Sequence, residues 1–280
     1  MYGHFDEHPH FDGWLEGTGP TSPVIIGDLL YGRGGADDGY AIFSSLLSIK
    51  TLQAKGLKHG KATILIEGSE ESGSIHLFPY IDDLKERIGN PSLLVCLDSG
   101  CKDYERIWVT TSLRGVVIKD LEVTCLKEAV HSGLGSGQGP DSFTVIRELL
   151  DRLEDSKTGA VTQELHVQIP ESKFVEAKNI ADILGDKFAL VKLEDGVEFL
   201  HKDLSKLYLA GTWYPTLTVV GQSGLPAHNV AGNVLRGTTS VRISLRIPPT
   251  KDPEEASKII DEILLKNPPH NAKVTVVSKG

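Results

Sequence analysis

The pattern of apolar and polar positions over residues 1–113 predicts strands and helices that alternate along the chain. Two uninterrupted apolar runs, residues 61–67 (KATILIE) and 92–98 (SLLVCLD), are typical of parallel strands that are buried on both faces. Apolar residues at helical spacing occur over residues 39–56 and 77–89. Alternation of this kind predicts an α/β layer architecture with a mostly parallel sheet.

Short local signals predict where these elements begin and end. Gly27-Asp28 lies between two apolar segments and predicts a tight β-hairpin. Asp38 stands at the start of the first helix, where we expect it to cap the helix, and Gly56 is the expected stop. Cys96 falls inside an apolar strand and is therefore expected in the core.

The order of elements changes after the boundary that we place at Arg114-Gly115. We predict, in chain order, a strand (115–126), a helix (142–154), an irregular segment (157–210), two strands (214–222 and 238–247), a helix (254–266) and a strand (272–279). Asp141 and Asp252 are the expected N-caps of the two helices. This order predicts a ferredoxin-like α+β sandwich over residues 114–280, following an α/β domain over residues 1–113.

Composition and charge narrow the class of protein. The chain has 280 residues, 40% of them hydrophobic, and a formal net charge of -9. This acidic balance argues against a nucleic-acid partner and against binding to an anionic membrane. No apolar stretch approaches the roughly 18 residues of a membrane span, and the N-terminus has no signal-peptide pattern. Three cysteines without zinc-finger spacing indicate reduced thiols in a cytoplasmic protein.

Polar side chains follow the predicted strands at the ends where ligands gather in open α/β sheets. His4 and Asp6 lie two residues apart on one side of an extended segment, and carboxylates follow later strands or precede a helix at Asp37, Glu70, Glu71 and Asp98. One histidine with several carboxylates predicts a divalent metal site. Nitrogen and oxygen ligands suit zinc best, with manganese or cobalt as alternatives.

The adjacent acids Glu70 and Glu71 are costly to bury together unless a cation compensates their charges. Neighbouring side chains of an extended segment point to opposite sides, so one of the two can bind metal while the other faces the attacking water as a general base. One dication would compensate two acids, and two dications that share a bridging carboxylate would compensate more.

Five ordered motifs identify a family resemblance that covers nearly the whole chain: GHFDEHP, DGW, LYGRGGADDG, EGSEESGS and VCLDSG. They resemble the co-catalytic zinc peptidases that include carnosine-type dipeptidases, glutamate carboxypeptidases and aminoacylases. The resemblance implies two divalent metal ions, with His4, Asp37, Glu71 and Asp98 as ligands and Asp37 as the bridge. It also implies that Glu70 is the general base and that Asp6 orients His4.

The resemblance extends to the second half, which is similar to the inserted lid and dimerisation domain of this family. The segment AVHSGLGSG implies that His131 polarises the substrate carbonyl in the site of a partner subunit. The segment GNVLRGTTSVRISLRIPP implies that Asn233 and Arg246 hold the substrate carboxylate, for which a guanidinium fork is well suited. A homodimer through the lid domain is therefore expected.

The chain departs from the family pattern in its length and at two positions. Gly39 and Glu7 stand where lysine is common, and neither change removes a ligand. The segment before His4 and the return to the catalytic domain after the lid are missing, and the return carries the last metal-binding histidine. We therefore expect a fragment or an incomplete gene model, and we do not assign that role to His270, which lies inside the lid pattern.

Three functions follow from these observations. The leading one is metal-dependent hydrolysis of the amide bond of dipeptides or of C-terminal residues. A second is deacylation of N-acyl amino acids on the same fold, which the motifs barely separate from the first. The third is a catalytically impaired chain that acts only as a dimerising module. His8 and His10, in a polar loop, are interpreted as solvated.

Overall fold

The computed structural model describes residues 1–188 and 191–279 and divides the chain into two units, Met1–Trp108 and Val109–Gly280. The elements of the first unit are β1 (Tyr2–His4), β2 (Val24–Ile26), β3 (Leu29–Tyr31), α1 (Tyr40–Ala54), β4 (Leu65–Glu67) and α2 (Leu77–Ile88). Within the described ranges, no helix combines the length and the apolar character that crossing a membrane requires.

Strand β1 is the centre of the first unit. It pairs in parallel with β4, so that His4 lies opposite Glu67, and Tyr2 makes a parallel bridge to Cys96. The predicted hairpin is present, because β2 and β3 pair antiparallel around Gly27-Asp28. The parallel pairing brings the ends of three chain segments to the same edge, which is the edge that carries the candidate ligands.

Two strand predictions in this unit were too long. Residues 61–67 form a strand only over Leu65–Glu67, and the apolar run at 92–98 reduces to the bridge at Cys96. Leu93, Leu94 and Cys96 are exposed, so the prediction of a run buried on both faces and of a core cysteine was wrong. The physical reason is that, among the described residues, only one neighbouring strand pairs with each segment, and apolar character alone does not extend a ladder.

Helix α1 is present as predicted, but most of the apolar residues that recur at helical spacing in it are exposed. Ala41 and Ser45 face β1, whereas Phe43, Leu46 and Leu47 are exposed. Small residues are needed on the inner side because the helix approaches β1 closely at Gly3, where even a β-carbon would meet Ala41. Close packing against a glycine therefore decided the orientation of this helix.

The second unit contains eight strands, five helices and four 3-10 turns in its described residues. The strands are β5 (Gly115–Thr124), β6 (Val130–His131), β7 (Glu154–Asp155), β8 (Ala160–Val161), β9 (Thr216–Ser223), β10 (Val234–Leu235), β11 (Thr238–Ile247) and β12 (Lys273–Ser278). The helices are α3 (Ser132–Gly135), α4 (Ser142–Leu150), α5 (Glu171–Leu184), α6 (Leu204–Thr212) and α7 (Pro253–Leu265), and the 3-10 turns are Gln163–Leu165, His228–Val230 and Pro269–Asn271. A further 3-10 turn, Gly185–Lys187, directly follows α5.

Four antiparallel strands form the main sheet in the order β12-β5-β11-β9. With α4 after β5 and α7 after β11, this is the ferredoxin-like arrangement that the element order predicted. Alternate residues of β5 and β11 are buried, and they pack with the two helices into one core that includes Leu121, Ile243, Ile146 and Ile260. Full burial of each such side chain contributes about 1.5–3 kcal/mol.

Both predicted N-caps of this unit are confirmed. The carboxylate of Asp141 accepts a hydrogen bond of 2.8 Å from the Thr144 N–H, and Asp252 accepts one of 2.8 Å from Glu255. Each carboxylate satisfies one of the N–H groups that a helix leaves free at its start. Helix α7 buries one apolar face, formed by Ala256, Ile260 and Leu264.

The segment predicted as irregular, 157–210, contains more structure than expected. Helices α5 and α6 lie within and just beyond it and enclose a second small core of Ala177, Leu209 and Trp213. The apolar spacing in α5 is weak because small and polar residues occupy most of its length, which is why its helical period was missed.

Candidate metal centre

The imidazole of His4 is buried at the carboxyl end of β1. Its Nδ1 lies 3.1 Å from the backbone oxygen of Asp6. A carbonyl oxygen can only accept, so Nδ1 carries a proton and donates it there. The opposite nitrogen, Nε2, is buried and has no hydrogen-bond partner among the described residues. A buried polar atom without a partner costs free energy unless a proton or a cation is bound to it.

Carboxylates face this free nitrogen. Nε2 of His4 lies 3.3 Å from Oδ1 of Asp37 and 3.8 Å from Oδ2 of Asp98. One ligand atom from each of the three residues lies within 4.8 Å of the others. One imidazole and two carboxylates form a donor set that suits zinc and similar dications, so the residues present fit the metal that the sequence predicted.

Glu70 lies at the edge of this cluster, with Oε2 3.9 Å from Nε2 of His4. Burial, followed by the negative charge of Asp98, raises the pKa of Glu70, although His4 acts in the opposite direction. Its carboxylate is one-third exposed and therefore accessible from solvent. A carboxylate with this position and a raised pKa has the properties of a general base.

Asp6 holds the loop that carries Glu70 and Glu71. Its two carboxylate oxygens accept backbone hydrogen bonds of 3.1 Å from Glu70 and 3.0 Å from Glu71. One of these oxygens also lies 3.5 Å from Nδ1 of His4. Asp6 therefore contacts both the histidine and the acidic pair, whereas the sequence predicted only its contact with His4.

The buried carboxylate of Glu67 also holds this loop in place. It accepts hydrogen bonds from the Tyr2 hydroxyl and, at 2.9 Å, from the Ser74 hydroxyl. Burial, followed by the hydrogen bond to Glu67, raises the pKa of Tyr2, so this phenol stays protonated. The loop between Glu67 and Ser74, which contains the paired acids, is thus held at both ends. Glu67 was not among the site residues predicted from the sequence.

Glu71 points to a different partner from the one predicted. Its Oε2 lies 2.7 Å from Nε2 of His8, and its side chain is nearly buried. The ring of His8 is half exposed, in agreement with the prediction that it is solvated, but its contact with Glu71 was not predicted. No sequence feature near His8 predicts this contact, because His8 and Glu71 are far apart in sequence. The role of Glu71 as a metal ligand remains a prediction.

Asp38 does not cap α1, which corrects the sequence expectation. Its carboxylate is buried and accepts a hydrogen bond of 3.2 Å from the His4 backbone N–H. Helix α1 begins after Gly39 without a side-chain cap, and a β-carbon at Gly39 would lie 2.7 Å from the Gly34 carbonyl oxygen. This close approach leaves no room for a side chain at position 39 without a shift of the backbone.

The charges around His4 outweigh its burial. Burial lowers the pKa of His4, but the negative charge of Asp98, the hydrogen bond to Asp6 and the charge of Glu70 raise it, and the net shift is upward. Burial, with a further contribution from Asp98, also raises the pKa of Asp38. The centre therefore carries an excess of negative charge, and this charge favours the binding of a cation.

In the second unit, His131 ends β6, and Asn233 directly precedes the neighbouring strand β10. His131 ends β6 opposite Val234 of β10, and the Ser132 N–H donates to the Asn233 carbonyl at 2.9 Å. Nδ1 of His131 accepts a hydrogen bond of 3.1 Å from the Gly133 N–H, and the residue is exposed. Arg246 lies on the exposed side of β11.

The chain thus combines an α/β unit, with a histidine and carboxylates at its strand ends, and a ferredoxin-like unit. The family described as Peptidase family M20/M25/M40 matches residues 1–275. The chain belongs to this peptidase family.

Individual relatives share the fold at low sequence identity. The chain is 24% identical to the cysteinylglycine-S-conjugate dipeptidase of Corynebacterium striatum, over the whole chain and 60% of that protein. The crystal structure of human carnosine dipeptidase 1 is 21% identical, with a TM-score of 0.70 over 99% of this chain and 60% of the other. Dug1p of Saccharomyces cerevisiae is 20% identical, with a TM-score of 0.75 over 99% and 59%. The chain thus spans about 60% of the length of these relatives.

Proposed function

We propose that this protein contributes to metal-dependent hydrolysis of the peptide bond of dipeptides. The observation that carries the proposal is the cluster of His4, Asp37 and Asp98 around a buried imidazole nitrogen that has no hydrogen-bond partner among the described residues, with Glu70 at its edge. The names of two relatives, both dipeptidases, support the choice of dipeptides as the substrate class.

His4, Asp37 and Asp98 would hold a divalent cation, zinc by preference, and Glu71 and a second cation remain part of the proposal. A cation bound there supplies Lewis-acid polarisation of the scissile carbonyl and lowers the pKa of a water molecule. Glu70 would take a proton from the attacking water and return it to the leaving amine. Asp6 would keep Glu70 in place through the backbone hydrogen bond at 3.1 Å.

Residues of the second unit would bind substrate. The imidazole of His131 would donate to the substrate carbonyl oxygen in the site of a partner subunit, where negative charge develops. Asn233 and Arg246 would hold the terminal carboxylate. The exposure of all three side chains is compatible with these roles.

The proposal is tested by measuring the steady-state release of amino acids from cysteinylglycine and carnosine by the zinc-loaded chain. We expect release that falls at least 100-fold in Glu70→Gln, while the bound zinc measured by mass spectrometry stays within twofold. N-acetyl amino acids are the competing substrates, and faster release of acetate would assign the chain to deacylation. Zinc binding without release of any product would support the impaired module instead.

We also propose that two copies associate through the second unit. Strand β9 is at the border of the main sheet, and Val219 and Val220 are exposed on it. An open sheet edge with apolar side chains favours pairing with another strand. Light scattering after size exclusion should give twice the chain mass, and Val220→Lys should return the monomer mass. A monomer in the unsubstituted chain would exclude this association.

The three cysteines are free thiols, and we propose a cytoplasmic location on this ground.

A further inference from the structure

Two arginines, Arg114 and Arg246, lie near each other on the exposed face of the main sheet. Arg246 of β11 lies opposite Val116 of β5 on one side and opposite Thr216 of β9 on the other. Residues opposite each other in antiparallel strands project from the same face of the sheet. The adjacent residues Leu245 and Ile247 are buried in the core, so Arg246 projects from the side away from α4 and α7.

The second arginine, Arg114, reaches the same place. It precedes β5 by one residue, and its Nη1 donates to the hydroxyl of Thr216 at 3.0 Å. The same nitrogen donates to the backbone oxygens of Ala210 at 3.3 Å and Tyr214 at 3.1 Å. Thr216 therefore lies beside both arginines. These three acceptors share the two N–H groups of Nη1, so they hold one of the three guanidinium nitrogens in place.

The two guanidinium groups are close enough to interact. Burial, followed by the positive charge of Arg246, lowers the pKa of Arg114. Among the described residues, neither Arg114 nor Arg246 has a carboxylate within ion-pair distance, and all the partners of Arg114 are neutral oxygens. Two positive charges that repel each other without a counter-charge leave a site that an anion would stabilise.

The same face provides a comparison four residues earlier. Arg242 of β11 forms a two-pronged ion pair with Asp120, at 2.7 Å and 2.9 Å. The fold therefore neutralises one arginine of this face within the chain and leaves the other, beside Arg114, without an acidic partner. A general preference for arginine on this exposed strand does not explain that difference.

We propose that Arg114 and Arg246 together form a carboxylate-binding site, in which Arg114 is a fixed second guanidinium beside Arg246. The ligand is the free C-terminal carboxylate of a dipeptide, and this assignment rests on the proposed function. Each guanidinium can give a carboxylate oxygen a charge-assisted hydrogen bond, so two of them hold it in one orientation. A site of this kind discriminates against peptides whose C-terminus is an amide.

Nuclear magnetic resonance of the arginine Nε–Hε groups tests the site without hydrolysis. The full chain, freed of metal by EDTA, is titrated with glycylglycine and separately with glycylglycinamide. We expect the signals of Arg114 and Arg246 to shift saturably with glycylglycine, at least tenfold weaker binding of the amide, and no shift at Arg242. Equal binding of the amide, or a shift at Arg246 without one at Arg114, would overturn the proposal.

Three variants complete the test. Arg114→Gln and Arg246→Gln should each weaken glycylglycine binding about tenfold, whereas Arg242→Gln on the same face should leave it within twofold. Circular dichroism checks that Arg114→Gln is folded, and the titration of the unsubstituted chain decides the matter if it is not. Hydrolysis of dipeptides without shifts at either arginine refutes this site alone. Shifts without hydrolysis in the zinc-loaded chain support the site and refute the proposed activity.

Discussion

The carboxylate of Asp6 accepts a hydrogen bond of 3.0 Å from the backbone N–H of Glu71, 65 residues away in sequence. The other oxygen of the same carboxylate accepts from Glu70 at 3.1 Å and lies 3.5 Å from the ring of His4. One side chain therefore sets the distance between the histidine and the acidic pair. This explains how two adjacent glutamates are kept at the edge of the site.

Asp6→Asn should loosen this arrangement, because an amide offers one accepting oxygen instead of two and carries no charge. We expect a loss of about 1–3 kcal/mol in the free energy of unfolding and roughly tenfold or greater weakening of zinc binding. Urea denaturation and titration calorimetry measure the two effects. Asp28→Asn in the exposed hairpin turn is the control, and an equal effect in both variants would contradict the role of Asp6.

The stability of the metal-free chain should depend on pH through His4. The net pKa of His4 is raised from its ordinary value of 6.5, so its contribution to stability is complete below about 6.5 and is lost as the pH rises through the raised pKa. We expect the free energy of unfolding to fall over this range in the unsubstituted chain and to stay more nearly level in His4→Gln. Parallel curves for the two proteins would show that His4 does not cause the dependence.

Gly3→Ala should disturb the site without removing a polar group. The new β-carbon would lie 2.3 Å from the β-carbon of Ala41 and 2.5 Å from Oδ2 of Asp38, both of which are buried. We expect about 1–3 kcal/mol of destabilisation from overpacking and weaker zinc binding, because Asp38 accepts the His4 N–H. Thermal melting and zinc titration measure both. Gly60→Ala, with no atom within 4 Å of the new carbon, should change neither.

The buried ammonium of Lys119 should be important for the second unit. Its Nζ lies 2.7 Å from Oδ1 of Asp261 and donates to the hydroxyls of Ser257 at 2.7 Å and Ser278 at 2.8 Å. Lys119→Met should cost about 3 kcal/mol, near the lower end for a buried pair because Asp261 is partly exposed.

Urea denaturation measures the effect of Lys119→Met, and the exposed Lys258→Met on the same helix as Asp261 is the matched control. The double variant Lys119→Met with Asp261→Leu should recover part of the loss, since no unpaired charge remains. A double variant less stable than Lys119→Met would contradict this account of the network.

Local and periodic features of the chain were sufficient for much of the fold. The alternation in β5 and β11, the apolar face of α7 and the caps at Asp141 and Asp252 depend on neighbours within a few residues, and all are present. The exposed side of α1 and the short contact at Cys96 were not predicted. Both features depend on which surface is covered by another segment of the chain. The pattern of residues along the sequence does not contain that information.

The sequence by itself determined which residues bear metal-binding chemistry and, through its ordered motifs, the family to which the chain belongs. It placed His4, Asp37, Glu70 and Asp98 at strand ends or before a helix, because ligands in a parallel sheet gather at one edge. Only the tertiary structure decided that Glu71 faces His8 and that Asp38 holds the His4 backbone. It also decided that Arg114 lies beside Arg246. These pairings join residues that are distant in sequence, and a side chain's partner across such distances is set by packing and strand register, which act only once the chain has folded.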